Sequence, residues 1–218
     1  MPLQTFKNLS KEKQQAILDA AYEEFALNNY NTASVSTIVK NLGIAKGSFY
    51  RYFKNKIDLY SYLVQHAYEL RMQQLDKLLI DPSYSFFDIL RENFRNKIKF
   101  DTEYPLPSIF MYKIMFESEA EVLEIVDKLK KTVIELTKSL IINYQQSGQI
   151  NKEIDPGKIA FLIFQVQVGI YDYLSLYKGI NYLENIRNKK TVFALPEEEI
   201  MEIVEDFANI IKIGLSIN

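Results

Sequence analysis

The chain has 218 residues, 48% hydrophobic and 25% charged, a balance that supports a buried core and argues against disorder. It has no cysteine and one histidine, His66, which excludes disulfides and thiolate chemistry and argues against a histidine-built metal site, so no metal or other cofactor is expected. The net charge of −2 is uneven: residues 1–60 hold eight lysines and arginines against five acids, so that end is +3 and the rest −5, the balance of a small basic module on an acidic body.

From the N-terminus, Met1 to Ser10 mixes Gln4, Lys7 and Asn8 with apolar residues and lacks the basic-then-apolar pattern of a secretory signal, so a cytoplasmic location is expected. Ser10 is placed to cap a first helix whose Ile17, Ala20, Ala21 and Phe25 follow the spacing of one buried stripe, and Asn28-Asn29 ends it. Ser34 caps a short helix with Val35, Ile38, Val39 and Leu42 on one face, stopped at Gly43. A third helix covers about Ala45 to Phe53. A long one follows from Asn55 to Ile80, broken at Asp81-Pro82.

Further helices are expected over Ser83–Phe100, Ser108–Glu117 and Ala120–Ser147, with Tyr104-Pro105-Leu106-Pro107 as a break. Asp155-Pro156 reads as an N-cap with proline at the first helical position, opening a helix to Lys178, and Pro196 repeats the device before Glu197, Glu198 and Glu199. The apolar stretch Ile159–Ile170 contains Gln165 and Gln167 and is too short to span a bilayer, so it reads as a buried helix and no membrane partner is expected. The fold class is all-α with about nine helices.

The helices Ser34–Leu42 and Ala45–Phe53, joined through Gly43-Ile44, have the length and turn of a helix-turn-helix, with the first helix completing a three-helix core; a plain three-helix corner has the same spacing. The run Lys46-Gly47-Ser48-Phe49-Tyr50-Arg51-Tyr52-Phe53-Lys54-Asn55-Lys56 separates the two. Phe49 and Phe53 are i, i+4 and pack inward, leaving Lys46, Ser48, Tyr50, Arg51 and Tyr52 outward as donors for phosphates and base edges.

Ser10 to Leu63 resembles the DNA-binding domain of the TetR family of bacterial repressors. Ile17, Ala20-Ala21 and Phe25-Ala26 match the family's first helix, Ser34-Val35 to Ile38-Val39 its second, and Gly43 to Lys56 its turn and third helix. Tyr52 stands where the family often has histidine. The resemblance implies that Ser34, Tyr50, Tyr52 and Lys56 contact phosphates of double-stranded DNA, while Lys46, Gly47, Ser48 and Arg51 face the major groove. It also implies a helix-turn-helix domain over residues 1–55, an effector-binding and dimerisation domain over 56–218, and a homodimeric repressor on a palindromic operator.

The body is rich in aromatics, with fifteen tyrosines and fourteen phenylalanines in the whole chain. Such residues fill a helical core, yet a buried tyrosine hydroxyl needs a partner, which suits a cavity for a small, largely apolar or aromatic effector. Candidate lining residues are Phe100, Tyr104, Phe110, Tyr112, Phe116, Tyr144, Phe161 and Gln165. The helices Asp155–Lys178 and Pro196–Leu215 are apolar on more than one side, so Phe164, Val168, Tyr171, Ile200, Val204, Phe207 and Ile211 are candidates for a dimer interface. A regulator without a small-molecule ligand is one alternative. A helical enzyme is another: Glu117 with Glu119 or Glu121 with Glu124 could be drawn as acid and base, but they fall on faces that read as solvated and no nucleophile, phosphate loop or metal set accompanies them.

Overall fold

A computed structural model describes residues 1–75, 84–188 and 190–215. They form eleven helices: α1 (Gln4–Lys7), α2 (Lys11–Leu27), α3 (Val35–Asn41), α4 (Lys46–Tyr50), α5 (Lys56–Leu75), α6 (Phe86–Glu103), α7 (Pro105–Ile114), α8 (Ala120–Gln146), α9 (Pro156–Lys178), α10 (Tyr182–Arg187) and α11 (Glu197–Leu215). The protein is all-α, as the periodicity predicts, and the two helices beyond the expected nine are the short α1 and α10. The expected continuation of α5 to Ile80, its break at Asp81-Pro82 and the helix start at Ser83 lie outside the described residues.

The expected caps explain the starts. Ser10 Oγ accepts from Lys13 N at 3.5 Å, Ser34 Oγ from Thr37 N at 3.4 Å, and Asp155 Oδ1 from Lys158 N at 2.9 Å, each satisfying one of the amides a helix start leaves open. The prolines at 105 and 107 differ from expectation: Tyr104 is the N-cap and Pro105 already helical, because a first turn needs no donating N–H.

Packing divides the chain into two units. The first contains Met1–Leu70 with Tyr104–Asp127, the second Arg71–Glu103 with Lys128–Asn218. In the first, α2 packs on α3 and α7, and α3 on α4. Its centre is aromatic: Phe110 of α7 meets Tyr22 at 5.4 Å, Phe25 at 6.3 Å and Tyr60 at 5.4 Å between ring centroids. Tyr22 donates its hydroxyl to Leu63 O at 2.9 Å, and burial pushes that hydroxyl's pKa up. The unit that carries residues 1–55 therefore extends beyond them, because α7 supplies part of its core.

In the second unit α6 packs on α11, with Ile89, Leu90 and Phe94 buried on one and Ile200, Val204 and Ile211 on the other. Helix α9 is, among the described residues, the one long and apolar enough to cross a membrane. Its Ile159, Ile163, Phe164, Ile170 and Leu174 are buried while Phe161 and Leu162 are exposed, so the stretch expected to be a buried helix is buried on one side. Phe110→Ala should lower the unfolding free energy by about 3–5 kcal/mol, whereas Phe116→Ala, at an exposed ring, should change it by no more than about 0.5 kcal/mol; urea denaturation of both variants checks this.

Candidate nucleic-acid interface

Helices α3 and α4 meet through Gly43, whose φ of 65° lies in the left-handed region that glycine enters without a Cβ penalty. Its N–H donates to Lys40 O at 3.1 Å, and Ile44 N–H to Val39 O at 3.0 Å, so the turn closes the end of α3 and starts α4 within three residues. Helix α4 is shorter than the expected Ala45–Phe53. After Tyr50 the chain tightens, with Arg51 N–H on Ser48 O and Tyr52 N–H on Phe49 O, the three-residue bonds that commonly finish a helix.

Phe49 and Phe53 are buried at 3% and 0%, 5.8 Å apart between centroids, as the i, i+4 spacing predicts. On the other side Lys46, Gly47, Tyr50 and Arg51 are exposed and Ser48 is half-buried. A Cβ at Gly47 would meet nothing within 4 Å. The chain itself therefore does not require glycine there, and the bare backbone leaves the start of α4 open to close approach. Tyr52 is half-buried, its ring edge-on to Phe6 at 6.4 Å, so part of it belongs to the core.

Helix α1, absent from the expected elements, braces this end. Phe6 is 1% exposed and packs on Phe53 at 5.1 Å and Tyr62 at 5.7 Å. Leu3 N–H donates to Tyr52 O at 2.8 Å, and Thr5 Oγ1 donates to Arg51 O. The spacing Leu3, Phe6, Leu9 was the available signal, in a helix too short to show a period.

Ser34 and Lys56 are placed differently from the phosphate roles that the family resemblance implies. Ser34 Oγ caps α3, and its N–H donates to the buried Glu24 Oε1 at 2.8 Å. Lys56 Nζ donates to Tyr30 O at 2.7 Å, Ala33 O at 3.2 Å and Asn31 O at 3.4 Å, and lies 4.3 Å from the Tyr30 ring centroid. Its ammonium is engaged by the loop between α2 and α3. The same loop is held by acids expected on solvated faces: Glu117 Oε2 accepts from Tyr30 N at 3.1 Å, Glu121 Oε1 from Tyr30 Oη at 2.8 Å, and Glu119 from Asn31 Nδ2. These three carboxylates are loop anchors.

The aromatic candidates do not form one lining within either unit. In the first, Phe110 is core, Tyr104 and Tyr112 are half-buried, and Phe116 is exposed against Tyr112 at 5.2 Å. In the second, Phe100 is fully buried, Tyr144 is half-buried and donates to Tyr84 O at 2.9 Å, and Phe161 and Gln165 lie exposed on α9. Of the dimer candidates, Phe164, Tyr171, Ile200, Val204 and Ile211 are buried inside the second unit, and Val168 and Phe207 are half-buried. The apolar side chains left outward are others: Phe161, Leu162, Leu176 and Tyr177 on α9, Ile210 and Ile213 on α11. Both helices are apolar on two sides, and on α9 the stripe with the larger share of β-branched residues is the buried one.

Comparison with known proteins agrees with this architecture. Residues 17–63 match the family model of bacterial regulatory proteins, tetR family. The uncharacterised HTH-type transcriptional regulator YhgD of Bacillus subtilis is 26% identical over 171 residues, 76% of this chain and 86% of that protein. A TetR family transcriptional regulator from Chloroflexus aurantiacus superposes over 100% of both chains with a TM-score of 0.81 and 27% identity. The regulator FadR of Bacillus subtilis, solved in complex with stearoyl-CoA, shares the fold at a TM-score of 0.63 and 21% identity, over 87% of this chain and 96% of that one. A three-helix head with a donor-bearing α4, the matching family model and full-length likeness to such regulators lead to one conclusion: residues 17–63 are a DNA-binding domain of the tetR family, in a chain that resembles transcriptional regulators of that family along its length.

Proposed function

We propose that the protein is a cytoplasmic, homodimeric repressor that reads a palindromic operator with α4 and is released by a small, largely apolar or aromatic effector held in the body, residues 56–218. The observation that carries the reading is the exposed row Lys46, Gly47, Tyr50 and Arg51 over the buried Phe49 and Phe53. Lys46 and Arg51 reach base edges, Gly47 and Ser48 sit against the groove, and Tyr50 and Tyr52 give their hydroxyls to phosphates. Ser34 meets phosphate through the start of α3 rather than through a free hydroxyl. Lys56 is a positioning residue, since its ammonium organises the loop ahead of α3. Phe100 and Tyr144 of the second unit are retained as effector contacts, and the acyl-CoA bound by the Bacillus FadR supports a ligand with a long apolar part.

Dimerisation is assigned to the outward faces of α9 and α11. Tyr173 and Phe207 touch at 5.4 Å and Lys178 pairs with Glu199 at 2.9 Å, so the two helices lie side by side, with Leu176 79% and Ile210 66% exposed. Exposed apolar residues along two adjacent helices suit an isologous contact with a second copy. One copy offers too few base contacts to select a site, whereas two spaced by about 34–36 Å double them.

On an operator selected from random DNA, Lys46→Ala and Arg51→Ala should each relax preference at particular base pairs by about 1–3 kcal/mol, and Tyr50→Phe should weaken all sequences alike; unchanged anisotropy titrations for all three at matched salt would refute the assignment. Lys56→Met strands three loop carbonyls and should cost about 1–3 kcal/mol of stability while leaving the salt slope of DNA binding unchanged. A shallower slope at parental stability would restore its phosphate role. Leu176→Glu and Ile210→Glu put charge where a single chain tolerates it, so both should sediment as folded monomers with weakened operator binding. Dimers of parental affinity would move the interface elsewhere.

A further inference from the structure

The second unit buries a guanidinium and a carboxylate that do not pair directly. Asp101 is fully buried, takes the Lys97 ammonium as an ion pair and accepts from Tyr171 Oη at 2.7 Å. Arg71, 8% exposed, approaches the same Phe100 ring as Lys97, their cationic centres 5.9 and 5.5 Å from its centroid. Its guanidinium meets neutral oxygens: Nη2 donates to Asn93 O at 3.2 Å and Oδ1 at 2.7 Å, and Nη1 to Asn96 Oδ1. Among the described residues Arg71 forms no ion pair, and these bonds use three of its five N–H groups.

The buried Arg71 and the half-buried Lys97 therefore share one buried carboxylate among the described residues. Burial lowers the pKa of Arg71 to about 10 against the attraction of Asp101, and burial foremost, with repulsion from Arg71, lowers that of Lys97 while Asp101 opposes the shift. A buried charge without a direct ion pair is costly to a fold and is found where a ligand supplies the missing partner. The aromatic cluster of Tyr171, Tyr182 and Phe193, with centroids 5.4 to 5.9 Å apart, suits the apolar remainder of such a ligand.

We propose that Arg71, flanked by Lys97 over Phe100, binds the oxyanion of an otherwise apolar effector, a carboxylate or phosphate ester on a hydrocarbon chain. This rests on the reading that the body holds an effector, and it adds the charged group that the effector must carry. The anion bonds the two open N–H groups of Arg71 and gives its guanidinium the direct ion pair that Asp101 gives to Lys97.

The test is isothermal titration of the full-length protein with dodecanoate, dodecyl phosphate and dodecan-1-ol, using wild type, Arg71→Gln, Arg71→Met and the exposed-lysine control Lys152→Gln. At least one anion should bind about tenfold or more tighter than the alcohol, and the tighter anion names the source. Arg71→Gln should remove that preference and leave alcohol binding as it was, Lys152→Gln should change neither, and ligand-free Arg71→Met should melt at or above the wild-type temperature. Equal binding of anion and alcohol to wild type overturns the anion site while leaving the effector reading intact. Binding of none of the three overturns both. An anion preference that survives in Arg71→Gln or Arg71→Met assigns it to other residues and overturns the role of Arg71.

Discussion

A helix of five residues cannot hold itself. Helix nucleation is unfavourable and isolated helices below about 12 residues are marginal in water, so α4 exists because Phe49 and Phe53 are buried beneath it. That burial fixes which side of Lys46–Tyr50 faces outward, and everything the head can do depends on it. With Phe6 packed on Phe53 from the N-terminal side and Gly43 closing the preceding turn, the short helix is fixed at both ends. Its donors are thus presented from a rigid base, the arrangement that base reading needs.

The next layer is polar. The loop between α2 and α3 has no regular partners for its carbonyls, and Lys56 provides one ammonium for three of them. From the other side Glu117, Glu119 and Glu121 hold the amide of Tyr30, the amide side chain of Asn31 and the hydroxyl of Tyr30. Residues 104–127 lie outside the helix-turn-helix in sequence yet complete its packing unit. A segment of the body is therefore built into the platform that orients α3.

Much of the head was legible in sequence because its signals are local. Ser34, Gly43 and the Phe49/Phe53 pair each act within one or two turns, and the structure uses them as their spacing predicts. Helices α1 and α10, of four and six residues, are too short to show a period. The roles of Lys56, Glu117 and Glu121 depend on partners up to 91 residues away, so a lysine at a helix start read as a phosphate ligand and loop anchors read as solvated acids. On α9 and α11 both faces are apolar, and composition cannot tell which one the chain covers itself; Phe164 and Val204 proved inward, Leu176 and Ile210 outward. The burial of Arg71 without a direct ion pair was equally hidden, since nothing near residue 71 in sequence shows that Asp101 is engaged by Lys97.

The central claim is that α4 lies in the major groove of an operator, once per subunit. Dimethyl sulfate footprinting of the full-length protein on its selected operator tests it most directly, because guanine N7 is exposed to the reagent only in that groove. The expected result is two protected guanine clusters related by a dyad and about one helical turn or a multiple of it apart, both lost when Lys46 and Arg51 are replaced together. Tight binding with every guanine N7 still reactive, or protection that survives the double replacement, would contradict the account.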